Sequence, residues 1–177
     1  SDITDIKNFN IRKKRYSTVS KDDETVIREW IIKNDQAISL WVEGSFKPYL
    51  WQEYASDTGE VVCILLKYLS QWRDINRAIL WKAYLDAEDG NLKSAFENLL
   101  DSYRTASHIK SQKTITEQLV ALACIRLSDE ALRHILKDFN IPQEELGYLK
   151  NELAQIEGSI DFALDFEGER YIAFDEI

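Results

Sequence analysis

The clearest regularity in the chain is a recurrence of apolar side chains every three or four positions. Val26, Ile27, Trp30, Ile31, Ala37, Ile38, Trp41 and Val42 fall on one stripe, and that spacing predicts a helix over about 22–43. Ser20-Lys-Asp-Asp23 ahead of it reads as a capping signal with an acidic first turn, and Gly44 stands where a C-terminal cap glycine belongs. Residues 60–88 are apolar on most sides, which marks central, buried helices, with a break expected near Arg73-Asp74. Gly90 then reads as a turn. Leu92, Ala95, Phe96, Leu99, Leu100, Tyr103 and Ala106 form the next stripe. A polar link from Lys110 to Lys113 leads to Ile115, Leu119, Leu122, Ala123 and Cys124, a helix expected to end at Leu127. Ser128-Asp-Glu reads as a fresh cap for Ala131, Leu132, Ile135, Leu136 and Phe139. Pro142 suits the first position of a further helix lined by Leu146, Leu149, Leu153 and Ile156. A last helix is expected from Ser159 onward.

The pattern therefore predicts an all-α protein, built of antiparallel helix hairpins packed as a short α-solenoid or an irregular bundle. Residues 1–19 are polar and unpatterned and read as a flexible arm from which Phe9, Ile11 and Tyr16 could dock. Residues 20–177 read as one domain. Residues 44–58, with Pro48 and the run Tyr49-Leu-Trp51-Gln-Glu-Tyr54, read as a structured loop whose aromatics cover a helix end; Trp51 is the tryptophan expected to be exposed.

Composition agrees. Six glycines and two prolines in 177 residues are too few for the many tight turns of an all-β fold. With 45% apolar and 30% charged residues, the chain can bury a core. The net charge of −9 repels phosphate backbones, so nucleic acid is excluded as the expected partner. The basic run Arg12-Lys-Lys-Arg15 reads as a solvated arm, with a weak contact to anionic lipid or an acidic partner as its functional alternative. No apolar run approaches the ~20 residues of a membrane span. The chain has no Met, and a processing boundary at the N-terminus is expected, so that an anchor could precede this segment. The apolar Tyr171, Ile172 and Phe174 close to the C-terminus raise the expectation that the natural protein continues. Compartment stays open.

Candidate chemistry is sparse. Cys63 and Cys124 lack metal spacing; buried thiols are expected and a disulfide stays open. His108 and His134 carry no HExxH context, and there is no nucleophile elbow or phosphate-binding glycine loop. No cofactor and no metal are expected. Asp86, Glu88 and Asp89 read as a solvated helix end. Asp161, Asp165 and Glu169, at i, i+4 and i+8, would stack like charges along one face of a continuous helix, a repulsion that needs a partner to offset it. Arg170 beside Glu169 is expected to make an ion pair that fixes one helix against another. The residues expected to contact a partner are Trp51, Tyr54, Asp161, Asp165, Glu169 and Arg170.

Ala83, Gly90, Leu92, Ala95 and Leu99 resemble half of a tetratricopeptide motif, without its Trp-Leu-Gly opening and without a copy in register. A broader resemblance rests on Ile27-Arg-Glu-Trp30 through Leu40, Ala87-Glu-Asp-Gly-Asn-Leu-Lys-Ser-Ala95, Glu117-Gln-Leu-Val-Ala121 and Glu167-Gly-Glu-Arg170. Over residues 25–175 these resemble an uncharacterised family of all-helical bacterial proteins of planctomycete type. The resemblance implies a membrane anchor ahead of the region; it supplies no activity and no catalytic residue.

Taken together, the sequence reads as a helical module that contacts another protein, and it leans away from an enzyme. The alternatives are a small-ligand binder or enzyme with a site assembled from scattered residues, and a structural domain of a larger membrane-anchored protein.

Overall fold

The computed structural model describes Tyr16, residues 19–54 and residues 66–175. The basic run at 12–15, Cys63, and the segments 55–65 and 176–177 lie outside the described residues, as does most of the expected arm. Every regular element among the described residues is an α-helix, in the order α1 (Lys21–Lys33), α2 (Asp35–Ser45), α3 (Tyr68–Glu88), α4 (Leu92–Lys110), α5 (Ile115–Asp138), α6 (Gln143–Glu157) and α7 (Glu167–Asp175). The all-helical expectation holds.

Four helix boundaries differ from the periodicity. The 22–43 helix is two helices. Asn34 interrupts it, because its side-chain amide donates to the Trp30 carbonyl at 2.8 Å while its backbone N–H reaches Trp30 and Ile31. That closes α1 at Lys33, and α2 starts afresh at Asp35. The C-terminal glycine expected at Gly44 is instead inside α2, which ends on Phe46 as its cap. Conversely, α3 runs unbroken through Arg73-Asp74 and α5 runs unbroken through Ser128. The Ser128 hydroxyl turns inward, donating to the Cys124 carbonyl at 3.1 Å and lying 2.7 Å from Ser102 Oγ, so it caps nothing.

The α3, α4 and α5 helices pack against one another and carry the main core. Leu80, Ala83, Ala95, Phe96, Leu99, Ala106, Cys124 and Ile135 are buried there, with α6 adding Leu149 and Ile156. Small residues at 83, 95 and 106 let α3 and α4 approach closely. Their connection is tight because Gly90 takes φ +80°, a conformation glycine adopts without a Cβ penalty. Asn91 then caps α4, its side chain accepting from Ser94 N. Asp86, expected in solvent, instead ties the hairpin: its Oδ2 accepts from Lys82, Ser94 and Asn98 at 2.7, 2.6 and 2.9 Å.

The α1 helix seats Ile27 beside Trp81 and Leu85 of α3. Arg28 forks onto Asp89 at 2.7 and 3.0 Å, pinning α1 to the end of α3. Tyr16 packs into the same region, its ring 4.4 Å from Trp81, 4.9 Å from Tyr84 and 5.2 Å from His134. Cys124 is a free thiol, fully buried, and burial pushes it up to about 12. No helix among the described residues is long and apolar enough to cross a membrane.

Candidate interaction surface around the turn between α4 and α5

The turn 111–114 at one end of the core collects two irregular segments, residues 46–54 and 158–166. The local cause is a capping box. Thr114 Oγ1 accepts from Glu117 N at 3.2 Å, while the Glu117 carboxylate accepts from Thr114 N at 3.0 Å and Thr114 Oγ1 at 2.7 Å. Glu117 is fully buried. Its remaining lone pairs take the Tyr54 hydroxyl at 2.9 Å and the Tyr68 hydroxyl. Four donors on one carboxylate make its burial tolerable. They also fasten the 46–54 segment and the start of α3 to the start of α5. Burial first, and then the Glu117 carboxylate, push the Tyr54 phenol up to about 12 and raise Tyr68 as well.

Gln118, also fully buried, holds the second segment. Its Nε2 donates to the Asp165 carbonyl at 2.8 Å and its Oε1 accepts from Asp165 N at 2.9 Å. One side-chain amide thus satisfies both backbone groups of a residue, as a neighbouring strand would. Lys110 Nζ reaches the Ala163 carbonyl at 2.7 Å and Gln118 Oε1 at 3.3 Å. Gln112 donates to the Leu50 carbonyl at 3.0 Å. At the first residue of α5, Ile115 N donates to Glu169 Oε1 at 2.8 Å, so a carboxylate of α7 satisfies an orphan N–H at a helix N-terminus.

The expected stack of Asp161, Asp165 and Glu169 along one helix does not form. Residues 158–166 are irregular because Asp161 and Asp165 bend the chain locally, each carboxylate accepting from the backbone N–H two residues on, Ala163 at 2.9 Å and Glu167 at 2.8 Å. Arg170 makes no ion pair among the described residues; it is exposed and lies 5.6 Å from the Tyr171 ring centroid. Yet Trp51, Tyr54, Asp161, Asp165, Glu169 and Arg170 all belong to the segments gathered at this end. Glu117, Gln118, Lys110 and Gln112, which hold the end together, are not among the residues expected to contact a partner. Thr114-Ile-Thr-Glu117 is a legible capping box and was the available signal.

What this end shows to solvent is apolar. Trp51 is 73% exposed, Phe162 51%, Phe166 60% and Phe174 63%, and Phe46, Tyr49 and Tyr171 are exposed as well. Asp161, Asp165 and Glu167, exposed as well, alternate with Phe162 and Phe166 along the chain; Lys113 lies 3.8 Å from Glu167. Two clefts run along the inner side. One, of about 220 Å³, includes Lys110, Gln112, Ile160 and Asp161. The other, of about 320 Å³, includes Tyr49, Arg104, His108 and Ile156, and Ser107, Ser111 and Ser159 line both. These serine hydroxyls donate to the carbonyls of Arg104, His108 and Ile156 at 2.7, 2.7 and 2.6 Å. Burial lowers His108, which hydrogen-bonds the Lys47 backbone. Arg104 is shared between Asp101 at 3.0 Å and Glu152 at 3.1 Å. Among the described residues no His, Cys, Asp and Glu side chains are grouped to hold a metal ion.

The fold and this end define a packed-hairpin helical protein with an apolar, acid-rimmed terminus. Compared with known proteins, the chain matches no family model, no curated protein and no solved structure.

Proposed function

We propose that the chain is a helical protein–protein interaction module, of the planctomycete-type family its sequence resembles, whose contact face is the end formed by residues 46–54 and 158–175. One observation carries this reading: large exposed aromatics stand on segments held in place by hydrogen bonds from the core, Trp51, Phe162 and Phe166 on the segments that Gln112, Glu117 and Gln118 fasten, and Phe174 on α7, which Glu169 ties to Ile115. Exposed aromatics on a pre-ordered backbone bind with little entropy left to lose, and contiguous exposed apolar area marks contact sites. The carboxylates around them favour a partner segment with apolar residues flanked by Lys or Arg. The small-ligand reading has less behind it, because the cleft serines have committed their protons and Arg104 is already neutralised by two carboxylates.

The test is affinity capture of the intact natural protein from its own cells, with Trp51→Ala/Phe166→Ala and Asp161→Lys/Glu167→Lys variants alongside. A stoichiometric partner lost from both variants supports the reading. A partner retained by both, or none at all, overturns it.

A further inference from the structure

On another face, α3 and α5 leave an open groove of about 460 Å³ lined by Arg73, Arg77, Leu122, Arg126, Leu127 and Glu130. The spacing builds it. Arg73 and Arg77 are one helical turn apart on α3, and Leu122, Arg126 and Glu130 follow one another at single turns on α5. Three arginines and one glutamate therefore line the same groove as Leu122 and Leu127. Arg77 is paired with Asp74 at 3.4 Å. Arg73 and Arg126 have no carboxylate within ion-pairing distance among the described residues, on a chain of net charge −9. Where acid is in such excess, arginines left without carboxylates on one groove mark a place that carboxylates from elsewhere can fill.

We propose that this groove docks an acidic segment of a partner protein, its carboxylates forked by Arg73 and Arg126 and its apolar side chains laid on Leu122 and Leu127. Guanidinium forks match carboxylate geometry two bonds at a time. The leucine floor distinguishes the occupant from a nucleic acid, which would offer phosphates but little for the leucines and would meet the chain's negative field. An amphipathic segment laid into a groove between two helices is an established mode of peptide recognition. This face is independent of the aromatic end: it carries the opposite charge and calls for a partner of the opposite kind.

The experiment is fluorescence anisotropy of the purified chain with labelled peptides in which Asp and Glu flank Leu and Phe, against the same peptides carrying Lys at every acidic position. Arg73→Gln/Arg126→Gln is the test variant, and Lys137→Gln, an exposed change outside the groove, is the charge control; circular dichroism checks that each folds. The acidic peptides bind and the Lys peptides do not. The double variant weakens binding by about tenfold or more, the scale of one lost charge-assisted hydrogen bond, and added salt weakens it further. The control leaves it unchanged. Equal binding of acidic and basic peptides, binding of neither, or an undiminished double variant overturns the proposal. So does single-stranded nucleic acid or inorganic phosphate displacing the acidic peptide through the same two arginines.

Discussion

Gly168 at the start of α7 lies directly against the backbone carbonyl of Lys113: a Cβ on Gly168 would come within 2.7 Å of the carbonyl carbon and nearer still to its oxygen. This close approach is what lets the next residue, Glu169, reach Ile115 N. Gly168→Ala is expected to lift α7 from α5, at a cost of about 1–3 kcal/mol, typical of forcing a group into filled space. Hydrogen exchange checks it. Ile115 and residues 163–175 should lose protection while the centres of α3 and α4 keep theirs; unchanged exchange at Ile115 would mean that the contact does not hold α7.

Glu117 allows a ranked prediction. Tyr68→Phe removes one donor from a fully buried carboxylate and should cost about 1–3 kcal/mol. Tyr54→Phe should cost less, because Tyr54 shares Glu117 Oε2 with the Thr114 N–H and hydroxyl, whereas Tyr68 donates to Oε1. Glu117→Ala strands both tyrosine hydroxyls and the Thr114 N–H together, so its loss should be largest, on the order of 3–5 kcal/mol. Urea unfolding of the three variants tests the order, and a Glu117→Ala protein as stable as Tyr54→Phe would refute the hub.

The helices were legible in the sequence wherever tertiary structure left periodicity in charge, as on α4 and α6. They were illegible where a side chain chose between local and distant partners. Asn34 interrupts the apolar stripe of residues 26–42 without disturbing its spacing, so the break at α1 has no periodic signature. Ser128-Asp-Glu has the composition of a cap, but Ser102 on α4 offers the hydroxyl a buried partner that sequence cannot reveal. In the tail, Asp161 and Asp165 sit at helical spacing, and only the pairing of Gln118 with the Asp165 backbone shows why they turn instead. The exposed position expected of Trp51 is the observed one. The buried groups that organise the same end are polar residues on α4, α5 and the turn between them. Their role comes from chain segments some fifty residues away, as with Glu117 and Tyr68, separated by 49 positions.

Alkaline pH should unfold the protein cooperatively. Burial is the first cause that pushes Tyr54 and Tyr84 up to about 12, reinforced by Glu117 and Asp138 respectively, and burial raises Tyr16, Tyr68 and Tyr103 too. The unfolded chain titrates its tyrosines near pH 10. Because the folded values are raised, the fold holds the protonated phenols. That stability is fully present below about pH 10 and is lost as pH rises through about 12. Phenolate absorbance from these tyrosines should therefore appear together with loss of helical circular dichroism. Their complete ionisation near pH 10 with the helices intact would contradict the burial described.

The core also contains a polar thread whose energetics can be separated by a mutant cycle. Ser102 Oγ donates to Asn76 Oδ1 at 2.6 Å and accepts at 2.7 Å from Ser128, whose single proton is shared with the Cys124 carbonyl, linking α4 to both α3 and α5 where all three side chains are fully buried. Among the described residues the Asn76 amide nitrogen has no partner, so its carbonyl bond to Ser102 is the one that offsets the burial of this side chain. Ser102→Ala leaves Asn76 buried without any hydrogen bond and should cost about 1–3 kcal/mol. Asn76→Ala removes the orphaned amide along with its acceptor, leaving Ser102 still bonded to Ser128. The double variant Asn76→Ala/Ser102→Ala should then lose less than the sum of the two singles, because the second change no longer strands a polar group. Urea midpoints of the four proteins measure the coupling. Strict additivity would mean that the thread contributes through packing alone, and a double variant worse than additive would mean that the two sites cannot collapse around the space they leave.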